Sequence, residues 1–181
     1  EIISALFGYG LFDENSVENS AKALFYFALG LPAFSLIKVF SSFYFARHNT
    51  KVPFYISLVS VFVNILISVI FFKKFGFIVI PIATTISSWF NSIILFIYLK
   101  KDKYFSFNLT FLNKFIRILF SSIIMGSLFV FLMSFFEANL AYDENYKSFY
   151  LISLVMFGLI MYLVIAILIK AFKISDINLK Y

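Results

Sequence analysis

The sequence contains no cysteine and only one histidine, His48. A chain without cysteine forms neither a disulfide nor a thiolate metal site, and one histidine does not make a histidine cluster. The sequence also has no general acid–base pair, no nucleophile triad and no glycine-rich phosphate loop. We therefore expect no enzymatic activity, no cofactor and no metal site.

Charge is scarce as well. Only 13% of the 181 residues are charged, whereas 62% are hydrophobic and phenylalanine alone supplies 28 positions. A soluble domain is about half apolar and about a quarter charged, so this composition predicts an integral membrane protein. The net charge of +6 comes from basic residues in short loops between apolar runs. Such residues contact anionic lipid and report topology, so we expect no nucleic-acid binding.

Acidic side chains are absent from the apolar runs, since all nine Asp and Glu residues lie in polar loops or near the chain ends. A proton- or sodium-coupled carrier usually keeps a carboxylate within the membrane. Any coupling residues are therefore expected outside this chain. The chain begins without Met or a signal-peptide pattern, and residues 1–7 read as the tail of an apolar element. We interpret the chain as the C-terminal piece of a longer protein.

Five apolar runs have lengths close to the ~20 residues that cross a bilayer core. They do not alternate between apolar and polar residues as barrel strands do, so the predicted fold class is all-α, a polytopic transmembrane helix bundle. Residues 1–20 are predicted to be the helix tail and an outer loop, and residues 21–181 a five-span membrane domain. The predicted spans are residues 21–46, 52–72, 77–99, 115–136 and 149–169.

Small polar residues form a stripe on each of two spans. Ser57, Ser60, Asn64 and Ser68 recur every three or four residues, and residues 84, 88 and 92 repeat the pattern on the third span. We interpret both stripes as helix–helix contacts, with cavity lining as the alternative. The single tryptophan, Trp89, is expected to face lipid or the membrane interface.

The basic residues are divided unequally between the two sides that five crossings would create. Ten lie on the side of the chain's C-terminus, four lie on the other side, and Lys38 lies within a span. The positive-inside rule then makes the ten-residue side, and hence the C-terminus, cytoplasmic. The ten are Arg47, Lys51, Lys100, Lys101, Lys103, Lys114, Arg117, Lys170, Lys173 and Lys180, and the four are Lys22, Lys73, Lys74 and Lys147.

Four residues are candidates for substrate binding or gating. Lys38 lies roughly 10 Å from the cytoplasmic end of its span at about 1.5 Å per residue. Its amine either snorkels to the lipid head groups or faces a water-filled cavity and pairs with a substrate anion. Arg47, Thr50 and Lys51 form a basic turn that either contacts lipid phosphates or closes a carrier at its cytoplasmic side.

The run over residues 29–65, LGLPAFSLIKVFSSFYFARHNTKVPFYISLVSVFVNI, resembles the MurJ/MviN family of lipid II flippases. The shared features are Gly-Leu-Pro-Ala-Phe at residues 30–34, the Lys38-Val39 pair, the aromatic step that ends in Arg47, then Thr50 and Pro53. The sequence departs from the family pattern around the proline, with Lys51-Val52 before it and Phe54 after it. The opening Leu-Phe-Gly-Tyr-Gly-Leu-Phe at residues 6–12 also resembles a family loop.

The resemblance implies a transporter of fourteen spans in two lobes around a central cavity, in which this chain would be spans ten to fourteen, the C-terminal lobe. It implies alternating-access translocation of undecaprenyl-diphosphate-linked peptidoglycan precursor (lipid II) across the bacterial inner membrane. The last two helices would form a groove for the lipid tail. The implied partners are that precursor, membrane lipids, the N-terminal lobe and the cell-wall synthesis machinery. The alternatives are a related exporter of drugs or polyprenyl-linked polysaccharide units and a non-transporting membrane scaffold.

Overall fold

The computed structural model describes residues 2–8, 10–104, 109–141, 144 and 146–169, and these residues form six α-helices. Helices α2 to α6 contain between 22 and 32 residues and are apolar, so each is long enough to cross a bilayer. The prediction of an all-α membrane fold is confirmed. The helices are α1 (Ile2–Phe7), α2 (Glu14–Phe45), α3 (Lys51–Phe75), α4 (Val79–Lys101), α5 (Leu109–Phe135) and α6 (Lys147–Leu168), with 3-10 turns at Gly76–Ile78 and Ala138–Leu140.

Two helices begin well before the predicted spans. Helix α2 begins at Glu14 rather than at residue 21, because the backbone N–H of Ser16 donates to the Asp13 carboxylate at 2.9 Å and thereby caps the helix. Hydrogen bonds from Ser16 lower the pKa of Asp13. Helix α5 begins at Leu109 rather than at residue 115 and so contains Lys114 and Arg117. The apolar runs therefore predict where the helices lie. Polar residues before the runs add one or two helical turns at the starts of α2 and α5.

The described chain forms two compact units, which we take one at a time. The first contains residues 18–106, with most of α2 and all of α3 and α4. The second contains residues 1–17 and 107–181, with α1, α5 and α6. Residues 105–108 and 170–181, including Lys170, Lys173 and Lys180, lie outside the described residues, so the predicted location of the C-terminus is not addressed by the structure.

In the first unit, α3 and α4 form an antiparallel hairpin around the 3-10 turn. The Asn64 amide donates to Thr84 Oγ1 at 3.1 Å and to Ser87 Oγ at 3.3 Å, and the Asn91 amide donates to Ser57 Oγ at 3.3 Å. The two polar stripes therefore face each other and hydrogen-bond across the helix pair. Both stripes thus make helix–helix contacts, as predicted, and members of both also line a cleft, so the alternative of cavity lining applies as well.

Helix α2 runs parallel to α4 and is held to it through side chains of α4. Thr85 Oγ1 donates to the Tyr26 carbonyl at 2.6 Å, and the Trp89 indole N–H donates to the Leu29 carbonyl at 3.0 Å. Trp89 is 38% exposed, which agrees with the expectation that it faces lipid or the interface, and its N–H is in addition bonded to α2. This bond satisfies a donor that would be costly to leave unpaired in an apolar medium.

Gly30 is buried where α2 approaches Thr85 of α4, and Ala33, three residues later, is buried as well. A Cβ atom built on Gly30 would lie 3.0 Å from Thr85 Oγ1 and 3.5 Å from Thr85 Cα. Small residues allow this close approach of helix backbones, which is how helices associate in lipid. Pro32 lies between the two small residues inside the continuous helix.

In the second unit, α5 and α6 pack antiparallel. A Cβ on Gly158 of α6 would lie 3.2 Å from the Phe129 ring of α5, and the rings of Phe136 and Tyr150 lie 6.2 Å apart. Leu151 and Leu154 of α6 are buried together with Ala5 of α1.

The start of α6 caps the end of α1. Lys147 Nζ donates to the Gly8 carbonyl at 2.9 Å, and Ser148 Oγ donates to the Ala5 carbonyl. These carbonyls belong to the set that a helix C-terminus leaves unbonded, and a cation is favourable there. Lys147 was predicted to lie in an outer loop, but it is the first residue of α6 and only 1% exposed.

We predict that Gly30→Ala destabilises the protein. Thr85 Oγ1 is fixed by its bond to Tyr26, so it does not move away from a new methyl group without losing that bond. Overpacking of this kind costs about 1–3 kcal/mol, which exceeds the gain of about 1 kcal/mol that alanine brings to a helix. The thermal midpoint of the full-length protein in detergent should therefore fall.

The matched control is Gly126→Ala in α5, where a Cβ atom would meet no heavy atom of the described structure within 4 Å. This variant should unfold at or above the midpoint of the original protein. Equal midpoints for the two variants would contradict the close packing of α2 against α4.

Candidate functional site

The C-terminal ends of α2 and α4 lie at the same end of the first unit, because the two helices run in the same direction. Helix α3 begins at that end as well. Five cationic side chains are thereby gathered at what we call the basic end. They are Arg47, Lys51, Lys100, Lys101 and Lys103.

Both parallel helices end in the same backbone motif. His48 after α2 and Lys103 after α4 adopt left-handed conformations, with φ of 56° and 57°. In each case the amide of that residue and the next one bond to carbonyls three and five residues earlier, at 3.0–3.2 Å. This is the Schellman arrangement, which satisfies the last helical carbonyls and usually places glycine at the left-handed position. Because neither residue is glycine, the sequence offered no signal for these caps.

Tyr44 connects the two helix ends. Its side chain is fully buried, its hydroxyl donates to Asp102 Oδ2 at 3.2 Å, and its ring packs edge-on against Tyr104 at 5.8 Å between centroids. Leu95 and Leu99 of α4 complete this cluster. The sequence reasoning did not select Tyr44, Asp102 or Tyr104. The only available signal was that Asp102 interrupts a run of lysines.

The structure brings three of the four predicted residues together at the basic end. The Arg47 guanidinium lies 4.2 Å from the Tyr104 ring centroid, and its Nη1 donates to the Phe43 carbonyl at 2.8 Å. Thr50 precedes α3 and Lys51 begins it, and both side chains are exposed. Arg47 therefore already has protein partners, whereas Thr50 and Lys51 face outward.

Lys38 is separate from this group. It lies on an exposed part of α2, nine residues before Arg47, or roughly 13 Å along the helix. Its carbonyl accepts a hydrogen bond from Ser42 Oγ at 2.8 Å, and within the described part of the chain its amine contacts no acceptor. Lys38 therefore lies inside a membrane-length helix, as predicted. The role of its amine stays a prediction.

A cavity lies between α5 and α6 in the second unit. It has a volume of about 350 Å³, its walls are almost entirely hydrocarbon, and only Tyr150 and Ser153 among its lining residues carry a hydroxyl. Such a lining accommodates an apolar chain and offers nothing for a charged head group. We call it the apolar cleft, lined by Leu132, Phe136, Tyr150, Ser153, Leu154 and Phe157.

The chain matches the family model of the lipid II flippase MurJ over residues 1–150, which include the basic end and all of α2 to α5. The chain belongs to the MurJ family. The resemblance that the run over residues 29–65 predicts is therefore confirmed. The MurJ family is one of transporters, and the long apolar helices agree with a multi-pass membrane protein.

Two curated MurJ relatives align over nearly the whole chain, and a third aligns over 70% of it. A probable lipid II flippase MurJ from Thermotoga maritima is 32% identical over 176 residues, which cover 97% of this chain and 34% of the relative. One from Rhizobium tropici is 29% identical over 99% of this chain and 34% of its own length. The lipid II flippase MurJ of Burkholderia cenocepacia is 25% identical over 70% of this chain and 25% of its own length. The chain thus spans about a third of the length of the first two.

We predict that Tyr44→Phe loosens the basic end without unfolding the unit. The change removes the bond to the Asp102 carboxylate, and a hydrogen bond to a charged group contributes about 1.5–3 kcal/mol. Hydrogen exchange of the Lys103 and Tyr104 amides should become faster. Tyr98→Phe is the control, because Tyr98 is exposed and donates no hydrogen bond to a described residue. Equal exchange in both variants would contradict a structural role for the Tyr44 hydroxyl.

Proposed function

We propose that this chain is the C-terminal lobe of an inner-membrane flippase that moves undecaprenyl-diphosphate-linked peptidoglycan precursor from the cytoplasmic to the outer leaflet. The observation that carries the proposal is the match to the lipid II flippase MurJ over residues 1–150. Such transport makes and breaks no covalent bond. It requires an apolar surface for the tail, cations for the diphosphate and a change of access between the two sides.

The apolar cleft supports a binding site for the lipid tail. A polyprenyl chain is hydrocarbon, so it gains most in a groove whose walls expose almost no polar atom. In this proposal the tail stays in the membrane against α5 and α6 while the head group crosses through the protein.

The distribution of cations supports an orientation of the first unit in which the basic end lies at the cytoplasmic face. The basic end carries five Lys and Arg residues, whereas the opposite end has Lys22, Lys73 and Lys74. The positive-inside rule favours the basic end at the cytoplasmic face. The C-terminus would then also be cytoplasmic. Other components of the cell-wall synthesis machinery are proposed partners on the same family grounds.

We assign Lys38 to the diphosphate. Its exposed amine has no protein partner in the described part of the chain, and it lies at membrane depth where an unpaired charge is costly. A dianionic head group would supply the missing partner. The competing interpretation is that the amine snorkels to the lipid head groups.

Arg47, Thr50 and Lys51 are assigned to gating at the cytoplasmic side. Arg47 is held against Tyr104 and the end of α2, so it joins α2 to α4 at this end. Thr50 and Lys51 are exposed in the turn between α2 and α3 and are free to meet another part of the protein. Rocking of this lobe against the rest of the protein would open and close that contact.

The test is transport of the lipid-linked precursor by the full-length protein in proteoliposomes. The original protein should move the precursor, and Lys38→Met should slow transport about tenfold, equivalent to about 1.4 kcal/mol. Lys38→Arg, which keeps the charge, should retain most of the rate. Lys100→Met is the matched control, because it removes an exposed lysine outside the membrane span. Its transport rate should equal that of the original protein.

Two negative results would contradict different parts of the proposal. Absence of precursor transport by the original protein would contradict the flippase proposal, and transport of another polyprenyl-linked sugar instead would favour a related exporter. Normal transport by Lys38→Met at normal expression would contradict only the assignment of Lys38 and leave snorkelling.

A further inference from the structure

A polar cleft lies within the first unit, apart from the basic end and the apolar cleft. It has a volume of about 280 Å³ and lies between α2, α3 and α4. Phe34 and Ile37 of α2 supply an apolar wall. The opposite walls carry neutral polar groups, including Ser57, Ser60, Asn64, Ser87, Ser88 and Asn91.

The cleft is located at membrane depth. Ser57 and Asn64 lie six and thirteen residues after Lys51 at the basic end, or roughly 9 Å and 20 Å along α3. At that depth lipid offers no hydrogen-bond partner, so each polar group that lines the cleft has to be satisfied by the protein or by something bound to it.

Most of the lining hydroxyls are satisfied by their own helices. Ser60 Oγ donates to the Ile56 carbonyl at 2.8 Å, and Ser88 Oγ donates to the Thr84 carbonyl at 2.6 Å. Each of these hydroxyl oxygens still has a lone pair that can accept a hydrogen bond. The serines therefore present acceptors to the cleft.

Asn91 is not satisfied. The residue is only 6% exposed, its amide nitrogen donates to Ser57 Oγ, and its Oδ1 atom has no hydrogen-bond partner among the described residues. Exchanging the oxygen and nitrogen of the amide would pair the oxygen with Ser57 and leave the nitrogen unpaired. In either assignment one buried polar atom of Asn91 lacks a partner, and such a group costs about 1–3 kcal/mol.

We propose that the polar cleft binds water that exchanges with an aqueous phase, with Asn91 as its principal contact. The described lining carries no charged side chain, so a small neutral molecule that both donates and accepts hydrogen bonds matches it better than an ion. A water molecule occupies about 30 Å³ of liquid and needs two to four polar partners. The amide of Asn91 and the neighbouring serine hydroxyls supply those partners, and the volume admits several molecules.

The test measures the reactivity of a single cysteine in the full-length protein, with any cysteines outside this chain replaced. The chain itself contains none. Ser60→Cys is treated in membranes with a small, charged, membrane-impermeant methanethiosulfonate. A thiol reacts as the thiolate, which forms only where water solvates it. The reaction rate of Ser60→Cys should therefore be at least about tenfold higher than that of a cysteine outside the cleft.

The matched control is Val59→Cys. Val59 adjoins Ser60 on α3, so the depth of the two sites is nearly equal, but its side chain is 46% exposed on the outer surface of the unit and does not line the cleft. In a second step, Asn91→Leu is added to Ser60→Cys. Leucine has a similar size but no polar atom, and the rate should fall to that of the control.

Ser60→Cys reacting no faster than Val59→Cys would overturn the proposal. An unchanged rate after Asn91→Leu would overturn it as well, because Asn91 would then not hold the water. If Ser60→Cys does not reach the membrane, Ser88→Cys on the opposite wall provides the same measurement with the same two expected outcomes.

Discussion

Hydrocarbon provides no hydrogen-bond partner, and that constraint accounts for most of the hydrogen bonding in the described part of the chain. Backbone groups are paired within long helices, and serines on those helices bond to carbonyls of their own preceding turn. The helix ends follow the same rule by different means. Asp13 caps α2 at its start, left-handed His48 and Lys103 close α2 and α4, and Lys147 caps α1.

The same constraint determines how helices recognise each other. Burial of apolar side chains gives little preference for protein over lipid, so close approach and polar contacts decide the pairing. Gly30 allows α2 to approach Thr85, and Asn64 and Asn91 bridge α3 and α4. At Asn91 such a bridge leaves one polar atom unpaired within the described chain, and this atom is the basis of the proposed water site.

The sequence was sufficient to predict the five long helices, because apolar runs of near-membrane length permit little else. The polar stripes on α3 and α4 were also interpretable, because hydroxyls and amides repeated on one face need partners. What could not be predicted depends on contacts between residues distant in sequence. Lys147 is buried because Gly8 lies beside it, although 139 positions separate them. Trp89 and Asp102 likewise acquire their partners only in the fold.

Only part of the candidate site could be predicted from the sequence. Arg47, Thr50 and Lys51 are close in sequence and are therefore close in space, and the parallel course of α2 and α4 then adds Asp102 and Tyr104 to them. Lys38 lies apart from this group, because nine residues of chain separate it from Arg47. The apolar cleft between α5 and α6 depends on the antiparallel packing of two uniformly apolar helices, whose sequences indicate no particular facing residues.

The most direct test of the account is the location of the two ends of the first unit in intact cells. Single cysteines at Lys101, at the basic end, and at Lys74, at the opposite end, are exposed to a membrane-impermeant thiol reagent. The account predicts labelling of Lys74→Cys from outside, and labelling of Lys101→Cys only after the cells are permeabilised. Labelling of Lys101→Cys in intact cells would contradict it.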